Sequence, residues 1–191
     1  MKGPHDSLTT ERLTLRRFTA ADLDLLLSLH SDPEVTRYVG GNLSPAQCEV
    51  MLRERILDYY DTCPGFGIWV TVEQATGVRV GMHLLNHIRG EPLIQVGYLL
   101  LRAHWNRGFA TEMAARVLHY GFVDLGLPQI AGITEKAHIA SQHVLLKVGL
   151  ERRGERVFPA YGSTVLAWFE RDASSWLAAP PLALTRAART P

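Results

Sequence analysis

"LIQVGYLLLRAHWNRGFATEMAARVL", residues 93–118, is the stretch that decides the fold of this 191-residue chain. Residues 93–101 form a near-continuous apolar run, which suits a central strand covered on both faces. Further on the period changes. Ala110, Met113, Ala114, Val117, Leu118 and Phe122 recur at the spacing of one buried helical stripe. A helix is therefore expected over 104–123, starting near Asn106 or Arg107 and ended by "DLGLP" (124–128). "QIAGIT" (129–134) then reads as a short strand. A strand–helix–strand unit of this kind implies two parallel strands joined by a right-handed crossover.

On the N-terminal side, "RLTLRRF" (12–18) alternates apolar and charged residues and reads as a strand. "TAADLDLLLSLH" (19–30) has a Thr cap and leucines at helical spacing, and "SDPEVTRYV" (31–39) is a short helix with Pro33 in its first turn. "SPAQCEVMLRERILDYY" (44–60) is a helix capped by Ser44. "FGIWVTVE" (66–73) and "GVRVGMHLLNHI" (77–88) are strands joined by "QATG" (74–77). On the C-terminal side, "HIASQHVLLKVG" (138–149) is a helix stopped at Gly149, and "LERRGERV" (150–157) and "STVLAWFER" (163–171) close as strands. Antiparallel hairpins combined with a parallel crossover predict a mixed sheet in one α/β domain, residues 1–177, followed by a tail, residues 178–191.

The overall balance excludes several classes. A net charge of +1 is too even for a nucleic-acid partner, so anion binding must be local. Cys48 and Cys63 form no CxxC pattern, which argues against a disulfide framework or a zinc site and for a cytoplasmic setting without a metal. The opening "MKGPHDSLTT" has no apolar leader core, and no run approaches the roughly 18 apolar residues of a membrane span.

The start of helix 104–123 carries the chemistry. The first four N–H groups of a helix lack partners within it. Gly108 removes a side chain where the backbone must come close to something, Ala110 and Thr111 keep the next turn small, and Arg102 and Arg107 add positive charge. No acidic residue stands beside the Arg107–Gly108 pair. The pattern is an anion cradle suited to a phosphate or pyrophosphate, or else an ordinary helix start with a solvated arginine. The sequence has no GxxxxGK[ST], no GxGxxG, no GxSxG and no HExxH, which removes the common nucleotide-loop and hydrolase patterns.

Three stretches in order carry a resemblance: "ERLTLRRFTAADLDLLLSLHSDPEVTRYV" (11–39), "VGYLLLRAHWNRGFATEMAARVL" (96–118) and "ITEKAHIASQHVLLKVGL" (133–150). Together they resemble the GCN5-related N-acetyltransferases (GNAT), and most of all the branch that contains the ribosomal-protein alanine acetyltransferases. The resemblance spans residues 8–172. It implies a central, mostly antiparallel sheet of about seven strands, flanked by helices, in which the family's fourth and fifth strands run parallel and splay apart. Acetyl-CoA would lie in that opening. Its pantetheine arm would pair with the free backbone of strand 96–101, including Leu99, Leu100 and Leu101, and its pyrophosphate would sit on the amides of Asn106, Arg107, Gly108, Phe109, Ala110 and Thr111, with Arg102, His138 and Ser141 completing the cofactor side.

The activity so implied is acetyl transfer to a primary amine by direct attack on the thioester, with a protein or peptide α-amine as leading acceptor. A small-molecule amine is the second acceptor class, and a non-catalytic acyl-CoA-binding module is the alternative from another class. Ser141 matches the family's acid. Many relatives use a Tyr four positions later, where this chain has Leu145. Gln95 stands where the branch often has Glu, so the base is sought in His83 and His87, four apart on one strand. His138 replaces a usual Asn. The acceptor side is expected from residues 31–60 and the last hairpin, with Tyr38, Trp69, Tyr161 and Trp168 as wall candidates, in a monomer or homodimer.

Overall fold

The computed structural model describes residues 8–178. The expected tail therefore lies, but for its first residue, outside the described residues. Among the described residues there are eight strands: β1 Leu8–Thr9, β2 Leu13–Arg17, β3 Gly67–Glu73, β4 Arg79–His87, β5 Ile94–Leu100, β6 Gln129–Glu135, β7 Glu151–Val157 and β8 Val165–Asp172. The helices are α1 Leu23–Ser31, α2 Pro33–Thr36, α3 Pro45–Val50, α4 Asp58–Thr62, α5 Phe109–His119, α6 Ile139–Lys147 and α7 Ala173–Ala178. Between α3 and α4 the helical path continues through the wider turns Met51–Leu57, so the predicted helix over 44–60 is one run with a widened middle.

The strands follow the order β1-β2-β3-β4-β5-β6-β8-β7. β5 and β6 run parallel with Gln95 opposite Ala131, and β1–β2, β2–β3, β6–β8 and β7–β8 are antiparallel. This is the mixed sheet the crossover predicted, with one strand more than expected: β1 has two residues, too few to show an alternating pattern.

By compactness the chain divides in two, with β4 and β5 each contributing to both units. The first unit holds residues up to 84 together with 98–109, and the second holds 85–97 together with residues from 110 on.

In the first unit, Leu25, Leu26 and Leu29 of α1 are buried, each worth about 2 kcal/mol in transfer free energy. The Tyr60 hydroxyl accepts from the Phe18 amide at 3.0 Å and donates to the Ile68 carbonyl. Burial pushes its phenol up to about 12. Ser44 caps α3 by accepting from the Gln47 amide, while the Gln47 side chain accepts from the Ser44 amide at 2.8 Å, a reciprocal pair that fixes where the helix starts.

In the second unit, Gly121 and Gly132 are places of close approach. A Cβ at Gly121 would press on Ile130, and one at Gly132 on Leu145 and Leu150. At the end of the strand order, β7 carries Glu151, Arg152, Arg153, Glu155 and Arg156, and its ladder to β8 shifts between Arg152 and Gly154.

Candidate active site

The anion-cradle segment folds differently at its start from the expectation. After β5, residues Arg102–His104 make one tight turn, and α5 begins at Phe109, two to three residues later than the apolar spacing predicts. Backbone conformation is the reason. Asn106 (φ 59) and Gly108 (φ 79) are both left-handed, which a helix cannot contain. Asn is among the few side chains that tolerate this state, and Gly carries no Cβ to oppose it. The two left-handed residues flank Arg107 directly before a helix N-terminus, whose first amides lack partners within the helix and suit an anion.

Side chains of the first unit hold this loop. One Arg107 nitrogen donates to Glu73, and another lies 3.2 Å from His104 Nδ1. Glu73 is 9% exposed and its second oxygen accepts from the Thr76 hydroxyl at 2.9 Å. The Arg107 hydrogen bond, followed by that of Thr76, holds the Glu73 carboxyl below its ordinary range. The Arg107 guanidinium carbon stands 4.3 Å over the buried Phe109 ring, and that of Arg12 stands 4.8 Å over it. The Trp105 indole donates to the Leu100 carbonyl at 2.8 Å, and Arg102 reaches Asp32 at 3.3 Å. Arg107 therefore does have an acidic partner. It comes from the end of β3, 34 positions earlier, which the local sequence could not show.

The backbone at the end of β5 is partly committed. The Leu101 amide donates to Val80 at 3.0 Å. The Leu99 carbonyl abuts Gly81, where a Cβ would find no room. Both residues thus present their polar groups to β4. Leu100 faces the other way, and its carbonyl already accepts from Trp105. Among Leu99, Leu100 and Leu101, the amide turned away from β4 is that of Leu100.

His83 is fully buried, with Nδ1 2.7 Å from the Thr71 hydroxyl and its ring 5.9 Å from that of Tyr98. Trp69 is 4% exposed, a core position beside Tyr60 and Gly67, whereas Tyr38 is half-buried beneath the Arg37 guanidinium.

In the second unit, His138 is the residue on which α6 starts, so Ser141 lies inside the first turn and is not its cap. His138 Nδ1 lies 3.3 Å from the Thr134 hydroxyl at the end of β6. Burial lowers its pKa, so a neutral imidazole ties strand to helix as an Asn would. Ser141 is 9% exposed. Leu145 is 2% exposed and packs over Gly132, so the position where many relatives carry a Tyr is filled by core here. Gln95 donates to the Asn86 side chain at 3.3 Å, and His87 is half-buried at the end of β4. Tyr161 packs edge-on to Phe158 at 6.4 Å, and both it and Trp168 lie against the cluster of Ile88, Ala131, Phe158 and Leu166. Ala110 and Thr111 are half-buried in the first turn of α5. Sequence reading missed Arg12, Glu73 and Thr71, which reach their partners only through strand pairing. Among the described residues, no group of three His, Cys, Asp or Glu is placed to hold a metal ion, and no helix is long and apolar enough to cross a membrane.

Comparison with known proteins agrees with this fold. The acetyltransferase (GNAT) domain family matches residues 12–151, which draw on both units. A Bacillus subtilis (strain 168) protein, "Uncharacterized N-acetyltransferase YoaA", is 32% identical over 152 residues, covering 77% of this chain and 84% of its own length. The crystal structure of an acetyltransferase from Agrobacterium tumefaciens str. C58 superposes with a TM-score of 0.75 at 24% identity, covering 90% of this chain and 96% of that one. The spermidine N-acetyltransferase from Vibrio cholerae, solved in complex with CoA and spermine, gives a TM-score of 0.69 at 17% identity, covering 87% and 98%. The chain belongs to the GNAT family of acetyltransferases. Two of its curated relatives, from Bacillus subtilis and Bacillus licheniformis, are named uncharacterized N-acetyltransferases.

Proposed function

We propose that the protein transfers the acetyl group of acetyl-CoA to the α-amine of a protein or peptide. The observation that carries the reading is the loop 105–108: in a chain of this family, left-handed Asn106 and Gly108 open directly onto the N-terminus of α5. The residues fit the cofactor. Amides from Asn106 to Thr111 would receive the pyrophosphate. The pantetheine arm would pair with the edge of β5 turned away from β4, which narrows its partners within strand 96–101 to Leu100 and, by strand alternation, Tyr98.

The chemistry follows from what the acceptor requires. The amine must lose its proton before its lone pair attacks the thioester carbon. The nitrogen gives up its second proton as the C–S bond breaks, and the thiolate takes up a proton, leaving an amide and a free thiol. Ser141 supplies that proton in this reading, since Leu145 offers no hydroxyl. For the base, the enclosure of His83 against Thr71 favours His87, which reaches solvent. His138 organises the cofactor side. Tyr161 and Tyr38 remain wall candidates for the acceptor, whereas the burial of Trp69 argues for a packing role.

A small polyvalent amine is the second acceptor class. The Vibrio cholerae neighbour, which is a spermidine acetyltransferase with spermine bound, favours it. The test is direct. Acetyl-CoA should raise the melting temperature by mass action, and CoA release should then be measured with N-terminal peptides, spermidine and amino acids. Turnover on peptides alone supports the first acceptor class and turnover on polyamines alone the second. A shift without turnover leaves a binding module, and no shift overturns the acetyl-CoA reading. Cys48 and Cys63 are both free thiols, so a thiol-reactive readout needs a substrate-free control.

A further inference from the structure

The end of β5 carries an indole that is both fixed and exposed. After Leu101 the chain folds back in two overlapping turns. The His104 amide donates to the Leu101 carbonyl at 2.9 Å, and the Trp105 amide donates to the Arg102 carbonyl at 3.1 Å. They return the Trp105 side chain to the strand, where its indole N–H donates to the Leu100 carbonyl at 2.8 Å. The residue stays 39% exposed, whereas Trp69 and Trp176 are core and Trp168 is half-buried. A lone exposed aromatic is ordinary on a protein surface. What sets Trp105 apart is where it is tied. The Leu99 carbonyl and the Leu101 amide face β4, so both polar groups of Leu100 face the opposite edge. There the indole takes the carbonyl. A ligand chain laid along that edge meets the Leu100 amide last and must leave the strand beside the Trp105 ring. The next residue, Asn106, is left-handed and opens the loop before α5.

We propose that Trp105 is a binding residue for acetyl-CoA, its indole receiving the dimethyl carbon of the pantoate group where the ligand passes from β5 to the loop. The assignment rests on the acetyl-CoA reading above. Its physical basis is a match of order. In acetyl-CoA the two amides of the pantetheine arm are separated from the pyrophosphate by a short stretch whose bulk is a carbon bearing two methyl groups. In this chain the strand edge that suits those amides is separated from the loop that suits the pyrophosphate by the exposed indole of Trp105. The hydrogen bond to Leu100 orients the ring beforehand, so little side-chain freedom is lost when the methyl groups cover it.

The experiment measures binding of three ligands to the wild type and Trp105→Ala, by calorimetry and, for weak ligands, by ligand-detected NMR. Acetyl-CoA is the first. Acetyl-4′-phosphopantetheine keeps the pantoate and lacks the adenosine, and adenosine 3′-phosphate 5′-diphosphate does the reverse. Trp105→Ala should weaken the two pantoate-bearing ligands alike by roughly 10-fold, the worth of burying two methyl groups, and leave the nucleotide unchanged. Tryptophan emission gives an independent readout. Acetyl-4′-phosphopantetheine should move the wild-type emission to shorter wavelength, the nucleotide should not, and the shift should be missing from Trp105→Phe.

Wild-type affinity for acetyl-4′-phosphopantetheine in Trp105→Ala overturns the proposal. A loss confined to the adenosine-bearing ligands also overturns it, by showing a ring stacked on adenine, and an equal loss with all three shows that the residue only supports the loop. If Trp105→Ala fails to fold, the emission shift decides, and a shift that persists in Trp105→Phe overturns the proposal. A folded wild type that binds none of the three ligands overturns the acetyl-CoA reading itself, an outcome distinct from all of these.

Discussion

Two arginine–carboxylate clusters in the first unit use the same chemistry to different ends. Asp22 is 2% exposed and accepts two bonds from Arg16, at 2.8 and 2.6 Å, one from Arg79 at 3.2 Å and one from the Thr19 amide at 2.9 Å. Arg79 continues to Asp24 at 2.6 Å. Glu73 has one guanidinium and one hydroxyl, and its arginine, 42% exposed at the side chain, belongs to the loop that opens α5. Both carboxyls are held below their ordinary range, each with an arginine hydrogen bond as the leading cause. The lesson lies in what else the arginines touch. Those of Asp22 bind β2, β4 and the start of α1 to one another, whereas that of Glu73 shapes a loop.

Removing Asp22 should have the largest effect. Asp22→Ala leaves two guanidiniums facing an emptied buried site, and should lower unfolding free energy by about 3 kcal/mol, the low end for a broken buried pair because both arginines reach solvent. Denaturant unfolding measures this, and acetyl-CoA affinity of the folded fraction should stay near wild type. Ser141→Ala touches neither cluster. It should lower kcat roughly 100-fold, as loss of a proton donor does, while the acetyl-CoA thermal shift persists, so that steady-state kinetics separates chemistry from binding. Gly108→Val forces a β-branched residue into a left-handed state at a cost of about 1–3 kcal/mol, and should abolish the acetyl-CoA shift.

Glu73→Gln should change the melting temperature far less than Asp22→Ala yet alter acetyl-CoA affinity, reversing the order of the two clusters when binding is the readout. Titrating stability against pH gives the smallest effect and the finest comparison. Both carboxyls have folded pKa values below their unfolded ones, so their contribution is present above about pH 4 and is lost as pH falls through the folded values. Asp22 is held the lower of the two, so Asp22→Ala should flatten the acid limb more than Glu73→Gln. Burial lowers His30 and His138, so their contribution is full above about pH 6.5 and declines below it.

Local pattern was enough for most elements. The apolar run at 93–101, the stripe from Ala110 to Phe122 and the caps at Ser44 and Gly149 each placed a strand, a helix or an end within a few residues. What stayed hidden was non-local or conformational. β1 is too short to have a period, and α7, "ASSWLA", is held by Trp176, which is 2% exposed. The late start of α5 depends on the handedness of Asn106, which composition does not announce. The candidate site divides in the same way. Gly108 and its neighbours were legible because a helix start has a local signature. Arg12 and Glu73 were not, because β2–β3 pairing, with Leu13 opposite Glu73, is what brings their positions together.

The charged strand at the end of the sheet order bears on how copies of this protein meet. An exposed strand edge is a template on which a second chain can extend the ladder. Glu151, Arg152, Arg153, Glu155 and Arg156 make β7 a poor template, since a partner strand would have to strip water from several charges at once, and the register shift at Gly154 interrupts the regular row of donors and acceptors. At high concentration this protein should therefore resist edge-to-edge stacking through β7, and a homodimer, where one forms, is expected to use another surface.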